Sequence, residues 1–486
     1  MCMVRSSSAR ESMIDAVSGP AVLIRAPLAC SLSPQQVLSA LAAEPMPFAL
    51  SGSWASGGAI VGCRPLVVAG PDADPFTVID ALPQLAGSSP PEGLGRRPPR
   101  PEHAVGGGWF GWFGYRLGAR VEALPAGPPR LTPMPEFHLA YYDHVLRQAP
   151  GGQWWFEALV SPRREAELAA RLRDIRALLG ARSGAVTPPW AAPAPLTLDR
   201  DAAADHLSGV RMCRQRIAAG EIFQANICLR LQTEWTGSAT DLFAQALGRV
   251  SPPYGAVFCT PEADIVSLSP ELFLRRRGDS VITAPIKGTV RRDRDPVSAE
   301  SALADLMGSA KDAAEHVMIV DLMRNDLGRV CAYGSIHAPR TPTAQSHPGL
   351  WHLVSHVRGR LRPGTGNGEL LRATFPPGSV TGAPKVQAMH VIAELERSSR
   401  EVYTGAIGFA SPVAGLELSV AIRTLELSRG QLWIGAGGGI VADSDPRREL
   451  EEALTKARPI AAAIGSRVAA PSTGTRPLRK RAAWAA

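Results

Sequence analysis

"QLWIGAGGGIVADSDPRRELEEALTKAR", residues 431–458, runs from a strand through a glycine cluster and an acidic turn into a helix. "QLWI" reads as the strand. The glycines of "GAGGGI" (435–440) let the backbone approach a ligand closely. Asp445-Pro446 is a helix start, an N-cap acceptor followed by proline at the first helical position. From there "RRELEEALTKARPIAAAI" carries an apolar stripe of Leu450, Ala453, Leu454, Ala457 and Ala461. Glu449, Glu452 and Lys456 fall on its flank at i, i+3 and i+7, the spacing of a solvated Glu–Lys ladder. No phosphate-cradling lysine follows the glycines, so this is not a phosphate loop.

The same mixture of strands and capped helices extends over residues 196–465. Residues 1–195 instead alternate short β-like runs ("AIVGCRPLVVAG", "EFHLAYYDHVLRQ", "QWWFEALV") with Gly/Pro loops. The sum is an α+β protein with extensive antiparallel sheet, not regular βαβ alternation. Composition divides the chain near residue 195 into an N-terminal subdomain (1–195), a second domain (196–465) and a basic tail (466–486) expected to be disordered. "AVTPPWAAPAPLTLD" (185–199) and "GSSPPEGLGRRPPRPEH" (87–103) are too poor in apolar surface to fold alone. Another helix starts at Asp295-Pro296 and reads as continuous through "AESALADLMGSAKDAAEHVMIVDLMRND".

The 486 residues are 45% hydrophobic and 20% charged, a soluble globular composition long enough for two to three domains. No run of about 18 apolar residues predicts a membrane span. The start, "MCMVRSSSARESMIDAVSG", has no apolar core of a secretion signal. Seven scattered cysteines, none at C-x-x-C spacing, indicate neither a disulfide framework nor zinc. The expected location is cytoplasmic. A net charge of +8 could suit nucleic acid, but no basic–aromatic patch or nucleic-acid motif accompanies it. A small polyanionic substrate suits the positive field as well. "GGGWFG" (106–111) has dinucleotide-fingerprint spacing without the flanking strand, helix and acidic residue, so it reads as a glycine-rich strand pair. His352 and His356 lie on a strand-like run, where residues four apart are about 13 Å distant, too far for one metal.

Three charged positions stand in apolar company. Glu315 has Met318, Ile319 and Leu322 at i+3, i+4 and i+7. A buried carboxylate must be paired or bind a metal, so an arginine (Arg324 or Arg329) and a metal ion are equal candidates for its partner. Glu271 of "SPELF" (269–273) sits in a strand-like apolar setting that would raise its pKa toward general-acid range. In "ITAPIKGTVRR" (282–292), Val281 to Ile286 reads as a buried strand and Gly288 demands a turn. Lys287 stands between them, where the chain leaves the core.

As a set, the motifs are similar to those of the chorismate-utilising enzymes. These are "GEIFQANICLRL" (220–231), "SPELF", "PIKGT", "AKDAAEHVMIVDLMRNDLGRV" (310–330), "HLVSHVRGRL" (352–361), "FPPGSVTGAPKVQAMHVIAELE" (375–396), "YTGAIG" (403–408), "AIRT" (421–424) and residues 435–458. They occur in family order over residues 200–465. The family includes component I of anthranilate and aminodeoxychorismate synthases, together with isochorismate and salicylate synthases. The resemblance implies two facing antiparallel sheets flanked by helices, a four-layer α/β/β/α fold, with 196–465 as the chorismate-binding catalytic domain. It implies Mg²⁺ held by Glu315 and Glu452, with Glu449 close by. Arg423, Tyr403 and Lys456 would hold a chorismate carboxylate, approached by the backbone of Gly437 and Gly439. Gln224, Gly288, Thr289 and His352 would line the substrate site. Ser379 stands where relatives often carry threonine, and Asp312 where many carry glutamate. Glu271 would protonate the departing C4 hydroxyl.

Two positions separate subfamilies by the same resemblance. Water-adding members carry a basic lysine at the position of Gln224, which argues against isochorismate and salicylate synthases. At position 287 anthranilate synthases usually carry alanine, and aminodeoxychorismate synthases lysine. Lys287 is then the nucleophile of an aminodeoxychorismate synthase component I. The alternatives are anthranilate synthase component I and a non-catalytic chorismate-binding subunit. No cysteine has a G-x-C-x-G setting, so ammonia is expected from a separate glutamine amidotransferase subunit in a heterodimer.

Overall fold

Gln224–Glu234 and Gln431–Ile440 pair antiparallel, in register from Ala225↔Ile440 to Glu234↔Gln431. One face of the pair presents Leu229, Leu231, Leu432 and Ile434 to Ala453, Leu454 and Ala457 of the helix Pro446–Ala463. That helix is capped as the sequence requires, Asp445 accepting from the N–H groups of Arg447 and Arg448. The computed structural model describes residues 17, 19–86, 103–130, 132–181, 191–199, 201–291, 295–339, 341–347 and 350–470.

Among these residues the two strands belong to a 13-stranded sheet, which faces a second sheet of eight strands. Strands pair antiparallel throughout, except where Pro20–Leu28 meets Gln84–Leu85 at one edge. Both large sheets draw strands from either side of residue 195. Between them lies an aromatic layer that includes Phe48, Trp54, Phe110, Trp112, Phe258 and Phe409. Helices cover the outer faces, with Ile319, Met323 and Leu327 of Ala310–Gly328 packed under the smaller sheet. This is the four-layer α+β architecture expected from the sequence. "GGGWFG" supplies the strand Gly108–Phe113, which pairs on both sides within the smaller sheet. Its Trp109 and Phe113 face the helices, while Phe110 and Trp112 face the opposite sheet.

At four places the structure differs from the sequence expectation. The long helix is two, Pro296–Gly308 and Ala310–Gly328, because Ser309 is extended (φ −69°, ψ 108°) after a glycine. Lys287 does not precede a turn out of the core. The strand Ser280–Ala284 belongs to the eight-stranded sheet, and Ile286–Arg291 begins a separate three-stranded one. Gly288 (φ +81°) makes a bulge there, since Ile286↔Val354 is followed by Thr289↔His352 with one extra residue. "LWHLVSHVRGRL" is likewise two strands, Leu350–Val354 and Val357–Arg360, in different sheets. Finally, the tail starts ordered. Leu196 N–H donates to Arg467 O (2.8 Å) and Ala469 N–H to Leu196 O (2.8 Å), so the connector and tail each gain the partner they lacked alone. Residues 87–102 and 185–190 of the two loops and 471–486 of the tail lie outside the described residues.

Arg147 ties the N-terminal strands together. It is fully buried and donates to four carbonyls, those of His103 (2.9 Å), Ala59 (3.0 Å), Ala55 (3.0 Å) and Gly57 (2.6 Å). Burial lowers its pKa to about 10, which leaves it charged near neutrality. Arg147→Met strands these acceptors without a donor. It should destabilise the fold by about 3 kcal/mol, read as a lower thermal midpoint than wild type.

Candidate functional site

Charged side chains gather where the chain passes from one sheet to another. Asp264–Ser269 lies in the larger sheet and Leu272–Arg277 in the smaller, so Pro270-Glu271 is a crossover. Gly415–Val420 and Thr424–Ser428 make a second crossover at Ala421–Arg423. Backbone hydrogen bonds lace the two together: Val420 N–H to Glu271 O (3.0 Å) and Leu268 N–H to Arg423 O (3.0 Å). Arg423 adopts φ +50°, a left-handed conformation costing a non-glycine residue about 1 kcal/mol. Lys287 lies just past the third passage, at Pro285.

Glu271 is 4% exposed, and burial pushes its pKa up to about 7. The Ser379 hydroxyl, Lys287, the Ile286 N–H and Arg423 oppose that rise without cancelling it. The carboxyl therefore keeps its proton below about pH 7, the state a general acid needs. Lys287 shows the complementary shift. Burial depresses its pKa, Lys456 adds to the depression, and Glu315, Glu271 and Glu452 resist it. Its Nζ stands 3.9 Å from Glu315 Oε2, with both side chains mostly buried. The side-chain partner of Glu315 is thus this lysine. Arg324 pairs with Asp321 and Arg329 with Glu122 instead.

On the facing helix, Glu449 is buried and accepts from Ser444 Oγ (2.6 Å). Glu452 and Lys456 form a half-exposed ion pair (2.8 Å), the ladder expected from spacing. Lys456 Nζ also donates to Gly437 O (3.1 Å), which turns the pair toward the glycine strand. Gly438 faces the same three side chains. A Cβ there would stand 3.2 Å from Glu449 Oε2, 3.6 Å from Lys456 Nζ and 3.7 Å from Glu452 Oε1. Among the described residues, no three His, Cys, Asp or Glu side chains form a closed metal cage. The donors present are carboxylate oxygens, which suit a hard cation that keeps water or substrate oxygens as its remaining ligands.

The other candidates fall in smaller groups. Tyr403 is buried with its ring against Gly435, where a Cβ would come within 2.2 Å. Gln224 lies against Gly439, whose Cβ would stand 1.9 Å from Nε2, and its Oε1 is buried without a hydrogen-bond partner. His352 is buried on the middle strand of the small sheet, opposite Thr289 in register. The side chains of Thr289 and Asp312 lie outside the described residues. Sequence reasoning missed His316, which is buried, bonded through Nε2 to Ser355 Oγ (2.6 Å) and held below its usual pKa by burial and by Lys287. It shares a helix face with Ile319, Val320 and Met323, a polar break in an apolar stripe that could have revealed it. Gly438, passed over among its neighbours, was legible only through the carboxylates above it.

A carbon-13 NMR titration of glutamate side chains should find one carboxyl with a midpoint near pH 7, absent in Glu271→Gln. Ser379→Ala removes a donor to the ionised form and should move that midpoint upward. A midpoint in the ordinary carboxylate range would contradict the burial argument.

The profile of the chorismate binding enzyme family matches residues 73–462. Aminodeoxychorismate synthase component 1 of Klebsiella aerogenes is 37% identical over 364 residues, covering 74% of this chain and 77% of its own. Anthranilate synthase component 1 1 of Haloarcula marismortui is 35% identical over 373 residues, covering 74% and 76%. The crystal structure of anthranilate synthase component I from Streptococcus pneumoniae TIGR4 superposes with a TM-score of 0.66 at 26% identity, over 85% of this chain and 89% of that one. The chain belongs to the chorismate-binding enzyme family.

Proposed function

We propose that the chain is component I of an aminodeoxychorismate synthase, converting chorismate and ammonia to 4-amino-4-deoxychorismate. The observation that carries this reading is the amine of Lys287, buried beside Glu315 with a depressed pKa. A surface lysine would be protonated and inert near neutrality. Burial favours the neutral amine that can attack carbon. The names of relatives do not choose between activities, because aminodeoxychorismate and anthranilate synthases match at similar identity.

In the proposed reaction, Lys287 Nζ bonds to C2 of chorismate as both ring double bonds shift and the C4–O bond breaks. Glu271 gives its proton to the departing oxygen, which leaves as water. Ammonia then bonds to C4, both double bonds shift back, the C2–N bond to Lys287 breaks, and the proton lost by the added nitrogen returns to the Glu271 carboxylate. Arg423, Tyr403, Lys456 and the backbone of Gly437 and Gly439 would bind a carboxylate. Gln224, Gly288, Thr289, His352 and Ser379 would line the remainder of the site. Glu315 and Glu452, with Glu449 adjacent, would hold Mg²⁺, which when bound supplies positive charge to a chorismate carboxylate. A glutamine amidotransferase partner would deliver the ammonia, and a cytoplasmic setting suits both proteins.

Purified protein, incubated with chorismate, Mg²⁺ and ammonium at mildly alkaline pH, should yield an amino-substituted chorismate by mass spectrometry without pyruvate. Lys287→Ala should slow that product by about a hundred-fold or more, as expected on losing a covalent nucleophile. Anthranilate with pyruvate would overturn the reading in favour of anthranilate synthase.

A further inference from the structure

Beside Tyr403 stands a thiol to which the family resemblance assigns no role. Cys228 lies in register with Gly437 on the neighbouring strand, and a Cβ on Gly437 would come within 2.7 Å of its Sγ. Asn226 Nδ2 donates to Cys228 Sγ (3.1 Å), and Cys228 Sγ donates to Tyr403 Oη (3.8 Å). The residue itself is held firmly. Its N–H donates to Glu396 Oε1 (2.8 Å), and Glu396 is gripped by the buried guanidinium of Arg400 (2.6 Å). Arg400 also donates to Val380 O (2.8 Å) and stacks over the Tyr115 ring at 4.6 Å.

The polarity of this chain of contacts has a consequence for Tyr403. An amide NH₂ can only donate, so the sulfur accepts from Asn226, and the contact with Tyr403 runs from its S–H to the phenol oxygen. The phenol then accepts on the side of Cys228, and its single O–H must point elsewhere. We propose that Cys228 is a positioning residue for substrate binding: held by Asn226, its thiol turns the Tyr403 hydroxyl to donate toward the substrate carboxylate. The inference rests on the proposed role of Tyr403. Both groups keep their protons near neutrality, since burial pushes the Cys228 thiol up to about 12 and Tyr403 well above its usual value.

Chorismate affinity, measured by calorimetry with Mg²⁺ and no ammonium, tests this together with KM and kcat under turnover. Tyr403→Phe should weaken chorismate binding. Cys228→Ala should weaken it by about three-fold, the scale of one weak hydrogen bond, and raise KM more than it lowers kcat. Cys228→Ser keeps a donor and should restore most of the loss. In the double variant, Cys228→Ala should add nothing to Tyr403→Phe. The inference is overturned if Cys228→Ala leaves affinity unchanged, if serine fails as badly as alanine, or if the two losses add in full. A Tyr403→Phe variant with unchanged affinity would instead remove Tyr403 from the substrate site, and the inference with it.

Discussion

Two backbone hydrogen bonds that join adjacent crossovers, Val420 to Glu271 and Leu268 to Arg423, are the constraint on which the site depends. Aromatic and aliphatic side chains fill most of the strand interiors between the sheets, and the charges buried there, such as Glu417 and Arg147, are taken up by hydrogen bonds. Where the chain changes sheets, the ladder is interrupted and polar side chains can turn into the gap. Glu271 and Arg423 occupy two such passages and Lys287 borders a third. The left-handed backbone of Arg423 belongs to the same geometry, a strained turn held by neighbours on both sides.

Burial then gives these groups opposite tendencies. It raises the carboxyl of Glu271 and lowers the amine of Lys287, so each favours its uncharged form. A carboxyl pushed toward its protonated form and an amine pushed toward its neutral form are a matched pair for displacing a hydroxyl by nitrogen. The glycine strand supplies the other half of the arrangement. Gly438 faces Glu449, Lys456 and Glu452 of the helix, Gly437 leaves room for Cys228 and the Ile227 carbonyl on the neighbouring strand, and Gln224 packs against Gly439. A single methyl at Gly439 would occupy the place of the Gln224 amide.

Much of this was legible in the sequence. The capped helix at Asp445 and the apolar setting of Glu271 follow from local rules, and both reappear in the structure. What local rules could not supply was pairing across the chain. Glu315 meets Lys287 rather than Arg324 or Arg329 because a bulge at Gly288 turns a strand residue toward a helix. The pairing of Leu196 with Arg467 and Ala469 is likewise a long-range contact that local propensity cannot supply. His316 escaped notice because its neighbour Glu315 accounted for the polar signal of that turn.

The proposed chemistry turns on Lys287 as a nucleophile, and the direct measurement is its covalent state. Protein incubated with chorismate and Mg²⁺ in the absence of ammonia would be quenched, digested and analysed by mass spectrometry. A covalent mechanism predicts a peptide containing Lys287 heavier by one chorismate less one water, released when ammonium is added before the quench. An unmodified Lys287, together with wild-type formation of amino-substituted chorismate by the Lys287→Ala protein, would contradict it.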